Sequence, residues 1–197
     1  MRVMIILLWL MLPVLVGIYH LGPGQEKLVL DDAAQQLKQA RQFAAAEDWP
    51  QAVAAYEQAL ELVPCERVDD IRHIRLERAK AQLLAQALPQ AHQDLKALVD
   101  ELQAEPDSDI AFLNDARAAL ANSQYYMTWL MRLEGVPRDL WEPEIESSRQ
   151  LNCLLAESSA AAGDATAAER HREDLEASIR LARLDDAELQ GLPLPSQ

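Results

Sequence analysis

Residue types able to do chemistry are spread thinly along these 197 residues. The four histidines, His20, His73, His92 and His171, stand far apart. None has the i, i+4 histidine partner of a zinc-binding helix or a cysteine pair beside it. No metal and no cofactor is therefore expected. Ser147-Ser148 and Ser158-Ser159 lie in helix-forming sequence without the glycines of a nucleophile elbow. No glycine-rich phosphate loop occurs. Glu144 and Glu146 form a carboxylate pair, but a chain with 32 acidic residues holds many such pairs, so the pair carries no weight for glycosidase-type chemistry. The expectation is a protein that is not an enzyme. A hydrolase using an acidic cleft is the alternative from another class.

Cys65 and Cys153 are the only cysteines. In an exported protein they could form one disulfide. The preferred reading is two reduced thiols, with Cys65 in a joint after Pro64 and Cys153 on a buried face among Leu151, Leu154 and Leu155. Phe112, Tyr125, Tyr126, Trp129 and Trp141 form an aromatic concentration. Tyr125 and Trp129, at i, i+4, share one helical face. These rings either fill a core or anchor a partner, since Tyr and Trp are favoured at binding hot spots.

The elements that must carry these residues follow from charge and periodicity. After Met1-Arg2, the run from Val3 to Tyr19 has no charge and continues through Leu21. That length reaches the roughly 17–25 residues needed to cross a bilayer. An uncleaved single-pass helix over 1–24 is expected, with a cleaved signal peptide as the alternative, which would leave a secreted or periplasmic soluble protein. Arg2 lies before the run, whereas Lys27 after it sits among Glu26, Asp31 and Asp32. The positive-inside rule then keeps the N-terminus in the cytoplasm and sends the remainder to the periplasm of a bacterial inner membrane.

Beyond the run, Ala, Leu, Gln, Glu and Arg dominate, and the whole chain has only 6 glycines and 5% aromatics. Such residues lose little rotamer freedom in helices. The net charge of −14 argues against nucleic acid as a partner, because two polyanions repel. Proline and glycine punctuation divides 25–190 into helices at about 30–46, 50–63, 68–87, 89–103, 108–134, 143–162 and 164–184. Pro50, Pro89 and Pro143 open three of them. Residues 25–30 read as a short tether and 191–197 as a disordered tail. The expected fold is all-α, a solenoid of antiparallel helix pairs behind one N-terminal transmembrane helix.

Two stretches repeat: Pro50-Gln51-Ala52 to Leu60, and Pro89-Gln90-Ala91 to Val99. Ala52 corresponds to Ala91, Tyr56 to Leu95 and Leu60 to Val99, one apolar helical face in each copy. Extended to Asp31–Pro64, the first copy resembles a tetratricopeptide repeat. The resemblance rests on Ala40, Phe43, Glu47-Asp48-Trp49 at the turn, Ala52, Tyr56, Ala59 and Pro64. Glu47 stands where the family usually has glycine. The second copy fits 72–105, and Phe112, Ala116 and Ala119 resemble the start of a degenerate third repeat. Gly163-Asp164, followed by Ala168, resembles a further repeat turn.

The resemblance implies a scaffold for a protein or peptide partner, in envelope complex assembly or quality control. It also implies a concave groove lined by the first helix of each repeat. Arg41, Lys80 and Arg117 fall at the groove-facing position, with Leu37, His73 and Leu76 as neighbours. That basic row is expected to recognise a carboxylate-bearing segment, with Tyr125 and Trp129 as a second contact surface.

Overall fold

In the computed structural model, residues 23–185 are described, together with Trp9, Met11, Glu188 and Leu189. Apart from these positions, the expected anchor over 1–24 and the tail over 191–197 lie outside the described residues. Among the described residues no helix is long and apolar enough to cross a membrane. They hold seven principal helices and no strand: α1 Pro23–Ala45, α2 Trp49–Leu62, α3 Val68–Leu84, α4 Leu88–Ala104, α5 Ile110–Leu133, α6 Arg138–Ala161 and α7 Ala165–Arg183. The chain forms two compact units that divide at Ile74/Arg75, within α3.

In the first unit α1 and α2 make a hairpin. The turn is built by Glu47, whose backbone is left-handed at φ 59°, and the Asp48 N–H donates back to the Phe43 carbonyl at 2.9 Å. This is the 6→1 bond of a Schellman C-cap. Asp48 then caps the next helix by accepting from the Gln51 N–H, with Pro50 in the first turn, where its missing N–H costs nothing. Ala33, Ala40, Ala52, Ala55, Tyr56 and Ala59 are buried. Five of these six are alanines, so the two backbones approach closely and Tyr56 supplies the bulk. Residues 25–30 lie inside α1: the helix starts at Pro23, a favoured first position, and no tether separates them from it.

The second unit repeats this device. Gln86 is left-handed at φ 61° and the Ala87 N–H donates to the Gln82 carbonyl at 2.9 Å. Gly135 and Gly163, at φ 71° and 81°, do the same between α5 and α6 and between α6 and α7, with Val136 bonded to Met131 and Asp164 to Ser159. Arg75 reaches Glu101 and Arg78 reaches Asp94, both at 2.6 Å, so α3 and α4 run antiparallel. Asn114 bonds Ser158 while Gln124 bonds Ser147, which makes α5 and α6 antiparallel as well.

Leu76, Leu83, Leu95, Leu98, Leu102, Leu113 and Leu120 lie in one apolar core, and Trp129, Trp141, Ile145, Leu181 and Leu189 form another. Arg132 supports the latter: its guanidinium stacks on the Trp141 ring at 4.9 Å and donates to the Leu181 and Leu184 carbonyls, closing the end of α7.

Besides the start of α1, the structure moves the start of α6. Pro143 lies inside α6, which begins at Arg138, rather than opening a helix. Its missing N–H leaves only the carbonyl of Asp139, an exposed first-turn residue, without a donor inside the helix.

Candidate functional site

The eight residues expected to meet a partner are scattered by burial and by unit. In the first unit Arg41 and His73 are exposed and Leu37 is half-buried. In the second, Leu76 is a core residue at 1% exposure and Trp129 is buried at 6%. The Lys80 ammonium is held by Asp115 at 2.8 Å and Glu77 at 3.1 Å. Those partners raise its pKa even though burial, the largest single influence, acts to lower it. Arg117 donates to Asn114 at 3.1 Å. Two of the three expected groove cations are thus already engaged by side chains of the protein itself.

Tyr125 is placed differently. With Tyr126 it lines a cavity of about 270 Å³ between α5, α6 and α7. Helix α5 contributes Ala118, Ala121, Asn122 and the two tyrosines, α6 contributes Asn152, and α7 contributes Asp174, Ala177 and Ser178. The space exists because the wall positions on α5 and α7 are alanines. The two phenol rings stand at right angles, their centroids 5.5 Å apart, and make an aromatic corner.

Asn152, 4% exposed, forms part of the floor, and its side-chain amide has no hydrogen-bond partner among the described residues. Buried amides are ordinarily paired. Ser178 beside it donates to the Asp174 carbonyl and lies 3.2 Å from the Ser148 hydroxyl. Asp174 stands at the rim. Desolvation by its neighbours is the main cause of its raised carboxyl pKa, opposed by His171 and Arg170. Desolvation also raises both tyrosines, so near neutral pH they are neutral phenols.

A second polar group lies deeper. His92 Nδ1 is 3.2 Å from the Ser123 hydroxyl and Nε2 is 3.5 Å from Glu144, which also accepts from Gln124 at 3.2 Å. Ser, His and Glu in sequence resemble a hydrolytic relay in type only. Ser123 is 0% exposed and its hydrogen is committed to the Leu120 carbonyl at 2.7 Å, so its oxygen can reach no substrate. The group ties α4, α5 and α6 together.

Cys65 and Cys153 are free and exposed. For Cys153 this corrects the expected face: the buried stripe of α6 runs through Trp141, Ile145, Ser148, Asn152 and Leu155, one residue away from it. That offset also explains why sequence reasoning missed Asn152 and its neighbours Asn122, Asp174 and Ser178. The available signal was an asparagine at i+4 from Ser148 and i−3 from Leu155, in a register that, Ser148 apart, is filled by apolar side chains.

No protein-family model, curated protein or solved structure matches this chain.

Proposed function

We propose that this chain is a non-enzymatic scaffold, tethered to a bacterial inner membrane by residues 1–24, whose tetratricopeptide-like hairpins hold a protein or peptide partner in the periplasm. The observation that carries the binding role is the cavity of about 270 Å³ with its aromatic corner and the Asn152 side chain in its lining. An amide in the wall of such a cavity can donate to and accept from a bound polypeptide, which adds a directional hydrogen bond to the apolar contact. Tyr and Trp side chains anchor polypeptides well because they bring large apolar area with few rotatable bonds.

The repeat resemblance is supported by left-handed Glu47 and Gln86 at equivalent turns and by the complete burial of Ala52 and Ala91. The membrane tether rests on the uncharged run from Val3 to Tyr19. Envelope complex assembly or quality control is the role such a tethered binder would serve.

Membranes from cells producing the full chain test the tether. The protein should stay with the membranes through a carbonate wash and keep Met1 or Arg2 as its N-terminus, because hydrocarbon burial is insensitive to ionic conditions. A mature N-terminus near Gln25 would contradict this reading. Chemical crosslinking of the same membranes should then yield a discrete polypeptide adduct.

A further inference from the structure

We propose that the cavity between α5, α6 and α7 receives one basic side chain of the partner, a lysyl ammonium or arginyl guanidinium; this rests on the scaffold reading and names its ligand chemistry. Size limits the ligand first. Drug-sized ligands occupy pockets of roughly 300–1,000 Å³. At about 270 Å³ the cavity suits a single long side chain.

Its polar groups then select charge. The Tyr125 and Tyr126 rings meet at 81° and both line the cavity, and an aromatic ring attracts a cation that comes over its face. Asp174 places a carboxylate at the mouth, and no ion pair or hydrogen bond engages that carboxylate among the described residues. Arg170 and His171 act on it only through space, and Arg180 acts on Tyr125 in the same way. On the floor, the Asn152 carbonyl offers an acceptor with no protein donor. An extended aliphatic stem would pass the alanine walls while its charged head met the amide oxygen and the carboxylate.

An anionic ligand would face Asp174 and the ring faces within a protein of net charge −14, which repels it at long range and draws a cation in. The polarity is therefore opposite to the one expected from a basic row, two of whose members already have protein partners.

The test is a titration of the full chain in detergent micelles with four blocked tripeptides: acetyl-Ala-Lys-Ala-amide, its arginine counterpart, its Nε-acetyl-lysine form and its glutamate counterpart. Ring resonances of ¹³C-labelled tyrosine report occupancy. The Lys and Arg peptides should saturate and move the Tyr125 and Tyr126 signals at least tenfold more tightly than the other two. Asp174→Asn should weaken the Lys peptide by tenfold or more, and Ala177→Leu, which fills the cavity, should abolish its binding. If Ala177→Leu does not fold, the rim substitution Asp174→Asn decides alone. Equal binding of Nε-acetyl-lysine or glutamate peptides, or Lys-peptide binding unchanged in Asp174→Asn, overturns the proposal. Crosslinking in membranes separates the two claims. A polypeptide adduct that persists in both variants retains the scaffold and removes the basic-side-chain site. Absence of any adduct in the wild type removes the scaffold reading and, with it, the polypeptide source of the ligand.

Discussion

Glu47 and Gln86 hold the same left-handed backbone, φ 59° and 61°, at equivalent points of two helical hairpins. Each precedes a helix with proline in its first turn, and each sits under the same 6→1 hydrogen bond. Neither residue gains anything from φ > 0, which crowds Cβ against the backbone; glycine would adopt it freely.

Glu47→Gly and Gln86→Gly should therefore each stabilise their unit, by up to about 1 kcal/mol after the conformational entropy that glycine adds to the unfolded chain is subtracted. Gly163→Ala should do the reverse by a similar amount, because a Cβ there meets nothing within 4 Å and only the backbone conformation opposes it. Urea denaturation of the three variants reads the signs directly. Stabilisation by Gly163→Ala would mean that this turn is not left-handed in solution.

Ala52 and Ala91 are both 0% exposed at matching positions of the two hairpins. Leucine at either should overpack the helix contact and cost about 1–3 kcal/mol. Thermal melts of Ala52→Leu and Ala91→Leu check this, and unchanged melting in both would refute the internal equivalence.

That equivalence was legible in the sequence because its determinants are local: a proline pair, a small residue and a large one at fixed helical spacing. Helix positions were legible for the same reason, to within a few residues, except at Pro143 and at the start of α1. The cavity was not. It depends on which polar residues three helices bring together, and Ser148 and Asn152 occupy stripe positions that periodicity assigns to apolar side chains. Tyr125 stands out in the sequence by its type alone, whereas placing Asn152 and Asp174 beside it needs the third dimension. The partners of the basic row were hidden for a related reason: sequence spacing gives the position of Lys80 but not that Asp115 on α5 comes within 2.8 Å of it.

Opposite pH signatures are expected of two carboxylates. Glu144 is held below the usual range, its hydrogen bond with His92 being the largest cause. A lowered folded pKa gives stability that is present above the unfolded carboxylate value, about 4.3, and lost as pH falls through the folded value. Glu144→Gln should accordingly weaken the fold at pH 7, and the deficit should shrink towards pH 4. Asp174 is raised by desolvation, so its contribution is present at low pH and lost as pH rises through the folded value. Asp174→Asn should strengthen the fold at pH 7 and converge on wild type in acid. Denaturant midpoints at the two pH values are the measurement, and changes of the same sign in both variants would contradict the assignment.

The central claim is that the cavity beside Tyr125 meets a polypeptide. Its most direct measurement is site-specific photo-crosslinking of the full chain in native membranes, with p-benzoylphenylalanine replacing Tyr125 in one preparation and Glu169, exposed on α7, in another. The account predicts a discrete polypeptide adduct from position 125, diminished by excess acetyl-Ala-Lys-Ala-amide and absent from position 169. No adduct at position 125, or indistinguishable adducts from both positions, would contradict it.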